Sequence, residues 1–290
     1  MNTTMRYKEF EVSSHFSQHI ECYWELELAP DELDSPFEAL SPDCTFDIVF
    51  ADTIFNMRGF SENVWKGINP GATFFGQKTS GVNFAVHKAI KIFGVRFKPF
   101  AFANLIKTPL FHLNDQVLPL EKLFDLNVND QQLIHKIITA KEVKEKIGLT
   151  ETLFNNLFKN SFSIDQNLRA QLNYILDRKG DLKVKELFPV FGVSKATLHK
   201  HFIHKIGLSP KKISCIWRIN YFLQLQNKYP NYNLTELSLE AGFYDQAHFI
   251  KTFKAYFGSC PLRFFKRENQ LIKISQTTIN KRFSNQYDPR

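Results

Sequence analysis

Two sets of side chains recur in this 290-residue chain at an offset of 51 positions. Lys195, Ala196, Thr197, His199 and Lys200 make the first set, and Gln246, Ala247, Ile250 and Lys251 the second, with Lys200 falling on Lys251. Their types suit the edges of DNA bases. A Lys ammonium fits guanine O6 and N7 or a phosphate, Gln can pair with adenine through two hydrogen bonds, and an Ala methyl can touch the thymine methyl. His199 would donate or accept at a base edge. Nowhere does the chain carry a nucleophile motif, a phosphate loop or a dinucleotide fingerprint.

The elements that must position these residues recur with them. At the same offset Ser194 falls on Asp245, Leu198 on Phe249, Phe202 on Phe253, Gly207 on Gly258 and Pro210 on Pro261. Gly192 pairs with Gly242 at offset 50, so one residue is inserted in the second turn. Each copy reads as a short helix, a glycine, an N-cap residue, a second helix and Gly-x-x-Pro. That is a helix-turn-helix, whose second helix can enter a major groove. Ser194 and Asp245 cap the second helices and Asn233 the first helix of copy two. Leu198, Phe202 and Ile206 fall at i, i+4 and i+8 and so point to the core, as do Phe249, Phe253 and Tyr256 or Phe257. Ser209 and Pro210 open a helix over about 211–227 that would hold the copies at a fixed separation.

Residues 165–268 resemble the DNA-binding domain of the AraC/XylS family of bacterial transcription regulators. The resemblance rests on GFYDQAHFIKTFKAYFGSCP at 242–261 and GVSKATLHKHFIHKIGLSP at 192–210. It implies recognition helices over 195–205 and 246–256, with base contacts from Ala196, His199 and Lys200 and from Gln246, Ala247 and Lys251. The implied function is a sequence-specific DNA-binding activator or repressor reading two successive major grooves. The implied partner is double-stranded DNA, with RNA polymerase, a small-molecule effector and a second copy of the chain as further candidates. Phe188 stands where the family has a small residue, and Pro189 follows it. A proline inside a helix removes a hydrogen bond and clashes one turn back, so the first helix of copy one is expected to be kinked or short. Copy one is expected to read fewer bases than copy two.

Charge divides the chain in the same place. Residues 178–290 hold 20 Lys and Arg against 7 Asp and Glu, and residues 1–177 hold 17 against 22. A basic half is what phosphate binding requires. No apolar run approaches the roughly 20 residues that span a bilayer, so no membrane partner is expected. The opening MNTTMRYKEF lacks the apolar core of a signal peptide. Cys22, Cys44, Cys215 and Cys260 show no metal-type spacing, as expected of reduced thiols in the cytoplasm.

The fold class expected is α+β, with an N-terminal antiparallel β barrel or sandwich over 1–126. Cys22–Leu28, Phe46–Phe50 and the stretch from Val82 to Phe97 are its candidate strands, and Ser41-Pro42-Asp43 a turn. Tyr23-Trp24, Ser41-Pro42-Asp43, FDIVF at 46–50 and GVRFKP at 94–99 resemble the cupin-like sensor domain in one branch of the same family. That domain would bind a ligand or dimerise. Trp24, His87 and Arg96 are candidate ligand contacts, although strand alternation gives His87 and Arg96 opposite parities. Arg96 paired with Asp43 or Asp47 is an equally good structural reading, and Trp65 is a second candidate pocket wall. His15 and His19 have the i, i+4 spacing of a metal pair but lack a third ligand, so an exposed turn is expected there and no cofactor.

Residues 127–164 read as a helical linker, available for dimerisation or packing on the barrel. Gly148-Leu149-Thr150 is expected to separate two helices with Thr150 as a cap, and Lys141 to Lys146 to form a solvated charged face. Residues 269–290 read as a polar basic tail. Two alternatives stay open: a metal-dependent cupin enzyme fused to a DNA-binding domain, and an architectural DNA-binding protein without an effector.

Overall fold

A computed structural model describes residues 6–29, 38–59, 64–158 and 164–266. The basic tail lies outside them. The described residues of the N-terminal unit hold ten strands: β1 (Arg6–Phe10), β2 (Ile20–Leu28), β3 (Glu38–Leu40), β4 (Phe46–Ala51), β5 (Phe55–Gly59), β6 (Lys66–Ile68), β7 (Gly71–Phe75), β8 (Val82–Ala85), β9 (Ile90–Phe97) and β10 (Val117–Pro119). They form two antiparallel sheets, in the orders β1-β2-β9-β4-β7-β10 and β3-β8-β5-β6. Among the described residues the ladders make a two-sheet sandwich rather than one closed barrel. The expected strand from Val82 to Phe97 is two strands, because His87 and Lys88 turn the chain between them.

Alternation gives the larger sheet two apolar faces. Cys22, Trp24, Leu26, Val49 and Ile92 point toward the smaller sheet. Tyr23, Phe46, Ile48, Phe50, Phe93, Val95 and Phe97 point the other way. A face this apolar must be covered, and the linker covers it. Helices α1 (Val128–Thr139) and α2 (Val143–Phe158) bury Ile137, Leu153, Phe154 and Phe158 against it.

Two readings of the linker change. Gly148 and Thr150 lie inside α2, where the Thr150 hydroxyl donates to the Lys146 carbonyl at 2.7 Å instead of capping. The chain breaks earlier, at residues 140–142. Lys146 is buried, not solvated. Its ammonium lies 3.3 Å from Glu25 Oε1 on β2 and over the Phe93 ring. Spacing along α2 shows its period but not that a carboxylate waits across the sheet.

The C-terminal unit is all helical: α3 (Gln166–Asp177), α4 (Leu187–Phe191), α5 (Lys195–Lys205), α6 (Pro210–Lys228), α7 (Leu234–Glu240), α8 (Gln246–Phe257) and α9 (Pro261–Phe264). Helix α6 packs against α3, α5 and α7. Its Phe222 ring lies 4.3 Å from that of Phe249 and 6.0 Å from that of Phe253, which fixes α8 on it.

The two units meet along a seam of hydrogen bonds. Asn220 of α6 donates to the Pro42 carbonyl at 2.8 Å, and the Ser41 hydroxyl donates to Asn220 Oδ1 at 3.3 Å. Lys205 at the end of α5 donates to the Ala103 carbonyl and Asn104 Oδ1, both at 2.9 Å. Asn114 donates to the Gly207 carbonyl at 2.7 Å, and the Gly81 N–H to that of Tyr256 at 2.7 Å.

His15 and His19 sit in the turn before β2. His15 is exposed as expected, but His19 is 3% exposed. Burial, then the nearby charges of Lys98 and His15, lower its pKa from 6.5 to about 4. Between those values the unfolded chain binds a proton that the folded chain refuses, so stability falls as the pH drops through that window. At about 1.4 kcal/mol per unit, the loss reaches roughly 3 kcal/mol near pH 4. Denaturant titrations from pH 6.5 to 4 should show this slope and should flatten in His19→Phe. Identical slopes in both proteins would remove His19 from the account.

Candidate DNA interface

In copy one a 3-10 turn at Val184–Glu186 leads into α4, which is only five residues long. Pro189 is its third residue, inside the first turn, where a missing N–H costs no intrahelical bond. The expectation of a short first helix holds. Phe188 packs against the core beside it. Copy two has a seven-residue first helix, α7.

The turns are built alike. Gly192 and Gly242 have φ of 61° and 84°, in the left-handed region where a side chain is strained. After each glycine the chain folds back, with the Val193 N–H donating to the Phe188 carbonyl at 3.1 Å and the Phe243 N–H to that of Ser238 at 3.0 Å. Caps then start the second helices. Ser194 Oγ accepts from the Thr197 N–H at 3.1 Å, and Asp245 Oδ1 from the His248 N–H at 2.7 Å. Asn233 and Ser209 cap α7 and α6 in the same manner, at 2.8 and 3.2 Å.

With Leu198, Phe202 and Ile206, and Phe249, Phe253, Tyr256 and Phe257, all buried, the opposite faces are open. Lys195, Ala196, Thr197, His199 and Lys200 are exposed on α5, and Gln246, Ala247, Ile250 and Lys251 on α8. Each set shares one helix face, and the N-terminal unit covers neither. The Thr197 hydroxyl is partly engaged, lying 2.8 Å from Ser194 Oγ.

One residue escaped the sequence reading. The insertion in the second turn is Tyr244, between Phe243 and Asp245, and it is 87% exposed beside the start of α8. The change of offset from 50 to 51 marked the place, but an insertion alone does not say which side chain faces out.

The candidate ligand contacts divide. Trp24 and Arg96 line a cavity between the two sheets. Trp24 can lie there because its partner across the ladder is Gly94, where a Cβ would come within 2.2 Å of the indole. His87 is exposed in the β8–β9 turn, outside the cavity lining. Trp65 is likewise outside it, stacked under the Arg58 guanidinium. Arg96 is committed to the acids foreseen for it, with Nε 3.3 Å from Asp47 Oδ1 and 3.9 Å from Asp43 Oδ2. Among the described residues no three His, Cys, Asp or Glu side chains are grouped to hold a metal ion. Nor is any described helix long and apolar enough to cross a membrane.

Residues 189–267 match the family model of a helix-turn-helix domain. The C-terminal unit is an AraC-type helix-turn-helix domain. Residues 8–119 match a model described as a domain of unknown function, DUF6597. The transcriptional activator PerA of Escherichia coli O127:H6 is 28% identical over 179 residues, covering 55% of this chain and 61% of PerA. That match therefore spans less than two thirds of PerA. A crystal structure of apo ToxT from Vibrio cholerae superposes with a TM-score of 0.46 at 13% identity, covering 83% of this chain and 97% of ToxT. An unsaturated-fatty-acid-bound ToxT gives 0.42 at 13% identity, covering 83% and 94%.

The two turn glycines differ in surroundings. A Cβ on Gly192 would meet nothing within 4 Å, whereas one on Gly242 would lie 2.5 Å from Asp181 Cγ. Gly192→Ala should therefore cost only the left-handed strain of about 1–2 kcal/mol, and Gly242→Ala clearly more. Thermal unfolding of both variants decides this, and equal losses would refute the steric reading.

Proposed function

We propose that this chain is a sequence-specific DNA-binding transcription regulator. Its two recognition helices, α5 and α8, enter successive major grooves, and its N-terminal unit modulates them in response to a small molecule. The observation that carries the reading is the pair of capped helices, each with an open polar face, held on one shared helix in the basic half of the chain. Lys200 and Lys251 contact phosphate or guanine, Gln246 takes adenine, and His199 meets a base edge. Ala196, Ala247 and Ile250 supply apolar contacts, while Lys195 and Thr197 serve the backbone at the start of α5. Tyr244 adds a phosphate-side contact at the start of α8. The partners are double-stranded DNA first, then RNA polymerase and a second copy of the chain. The place of action is the bacterial cytoplasm, at the nucleoid.

Selection from random duplexes with the full chain at physiological salt tests this directly. The expected product is two short sequence blocks about ten base pairs apart, the spacing of one helical turn. Enrichment without a motif would leave phosphate attraction alone and favour the architectural alternative. One iron, manganese or zinc ion per purified chain would favour the cupin enzyme.

Single substitutions refine the map. Lys251→Ala should weaken specific binding by about 1–3 kcal/mol. Tyr244→Ala should weaken binding to all sequences alike, because a phosphate contact carries no base information. Unchanged operator affinity in Lys251→Ala, or an altered base preference in Tyr244→Ala, would overturn the respective assignment.

A further inference from the structure

The cavity between the sheets leaves about 100 Å³ for the centre of a water-sized sphere. One water needs roughly 10–15 Å³ by that measure, so the space admits a small organic molecule. Its walls are apolar, with Trp24, Val49, Phe55, Met57, Phe75 and Phe84 among them. Its ionic groups are Asp43, Asp47, Arg96 and Lys78. Two carboxylates and two cations sum to zero. Arg96 is held between both acids, and Asp47 Oδ1 also accepts from the Trp24 indole N–H at 3.0 Å. Asp43 in turn accepts from the Thr45 N–H and hydroxyl, at 3.3 and 2.8 Å. A charged ligand drawn into this interior would leave one charge in excess among buried and partly buried groups, which is costly. An uncharged one keeps the balance.

The polar end of the cavity is also the seam. Ser41 and Asp43 line the cavity. The Ser41 hydroxyl and, between the two, the Pro42 carbonyl bond to Asn220 of α6. Cys44, held at φ 62°, buries its side chain in the core of the helical unit. One short segment thus touches both the cavity and the DNA-binding unit, and Ser41 touches both itself. Asn220 is fully buried and also donates to the Ile216 carbonyl at 2.9 Å, so its amide has little room to adjust.

We propose that this cavity binds an uncharged, largely apolar small molecule, and that segment 41–45 transmits its presence to α6 through Asn220. This rests on the reading of the N-terminal unit as the modulator of DNA binding, and it adds the ligand class and the route. A ligand seated against Asp43 and Asp47 moves the segment, and α6 carries the displacement to both recognition helices.

The test uses the full chain and two fluorescent probes with similar aromatic bodies: uncharged N-phenyl-1-naphthylamine and anionic 1-anilinonaphthalene-8-sulfonate. The neutral probe should bind at one site per chain, at least about tenfold more tightly than the anionic one. Met57→Trp, which fills the cavity, should abolish that binding. Asp47→Asn, which leaves a cation in excess, should shift the preference toward the sulfonate. Preference of the native chain for the anionic probe would overturn the ligand class, and neutral binding that survives Met57→Trp would overturn the site. Should Met57→Trp fail to fold, Asp47→Asn still decides, since an unchanged probe preference places the site elsewhere.

The second arm measures affinity for the selected duplex with and without the neutral probe. A change of at least about fivefold is expected, within the usual range of coupling between sites. It should vanish in Asn220→Ala while probe binding persists. Probe binding with no effect on DNA affinity would overturn the transmission route alone. Probe binding by a chain that selects no duplex would instead refute the regulator reading, so the two failures are distinguishable.

Discussion

Helix α6 runs through a core to which both units contribute, and the rest of the molecule is arranged around that fact. Ten of its 19 residues are buried. Ile213, Ile216, Trp217, Ile219, Phe222 and Leu223 lie in the core of the helical unit, which also takes in Ala39, Cys44 and Phe100 from the N-terminal unit. Close-packed interiors do not deform smoothly. A helix gripped on several sides moves as a body or stays put. The separation and tilt of α5 and α8 are therefore properties of α6 and its neighbours, not of either helix-turn-helix alone.

This arrangement explains how side chains are allotted. The large aromatics of copy two, Phe249, Phe253 and Phe257, go into anchoring α8, and Phe243 and Phe264 close around them. That leaves only small or polar residues and one half-exposed Ile on the open face. In copy one the anchors Leu198, Phe202 and Ile206 are fewer in aromatic bulk, and the end of α5 is tied instead by Lys205 to the N-terminal unit. The copies share a motif but depend on different supports.

What could be read from the sequence follows the range of the interactions. Caps and turn glycines act over three to six residues, so Ser194, Asn233, Ser209, Asp245, Gly192 and Gly242 were legible one by one. Trp24 and Arg96 could be named as candidate pocket residues, and Asp43 or Asp47 as partners for the guanidinium, from the strands that carry them. His87 was misplaced because a turn cannot be told from a strand within a continuous apolar stretch. Lys146 was misread because its partner Glu25 is 121 positions away. Gly148 suggested a break, but one glycine costs a helix only about 1 kcal/mol, which the Leu153, Phe154 and Phe158 packing outweighs. The seam left no periodic signal at all. Asn220 looks like an ordinary polar residue on a helix until the Pro42 carbonyl is set against it.

The chemistry of that seam bears on what it can sense. Pro42, Ala103, Gly207 and Tyr256 all accept across it through main-chain oxygens. A side-chain ion pair tolerates movement, because long stems follow their partners and Coulomb attraction fades slowly with distance. A hydrogen bond to a backbone carbonyl weakens steeply once its angle is lost, and a buried amide that loses it has no water to turn to. Such contacts register small displacements of the chain rather than changes of charge. A seam made this way is suited to report whether the sandwich above it is filled, and is poorly suited to report the charge of what fills it.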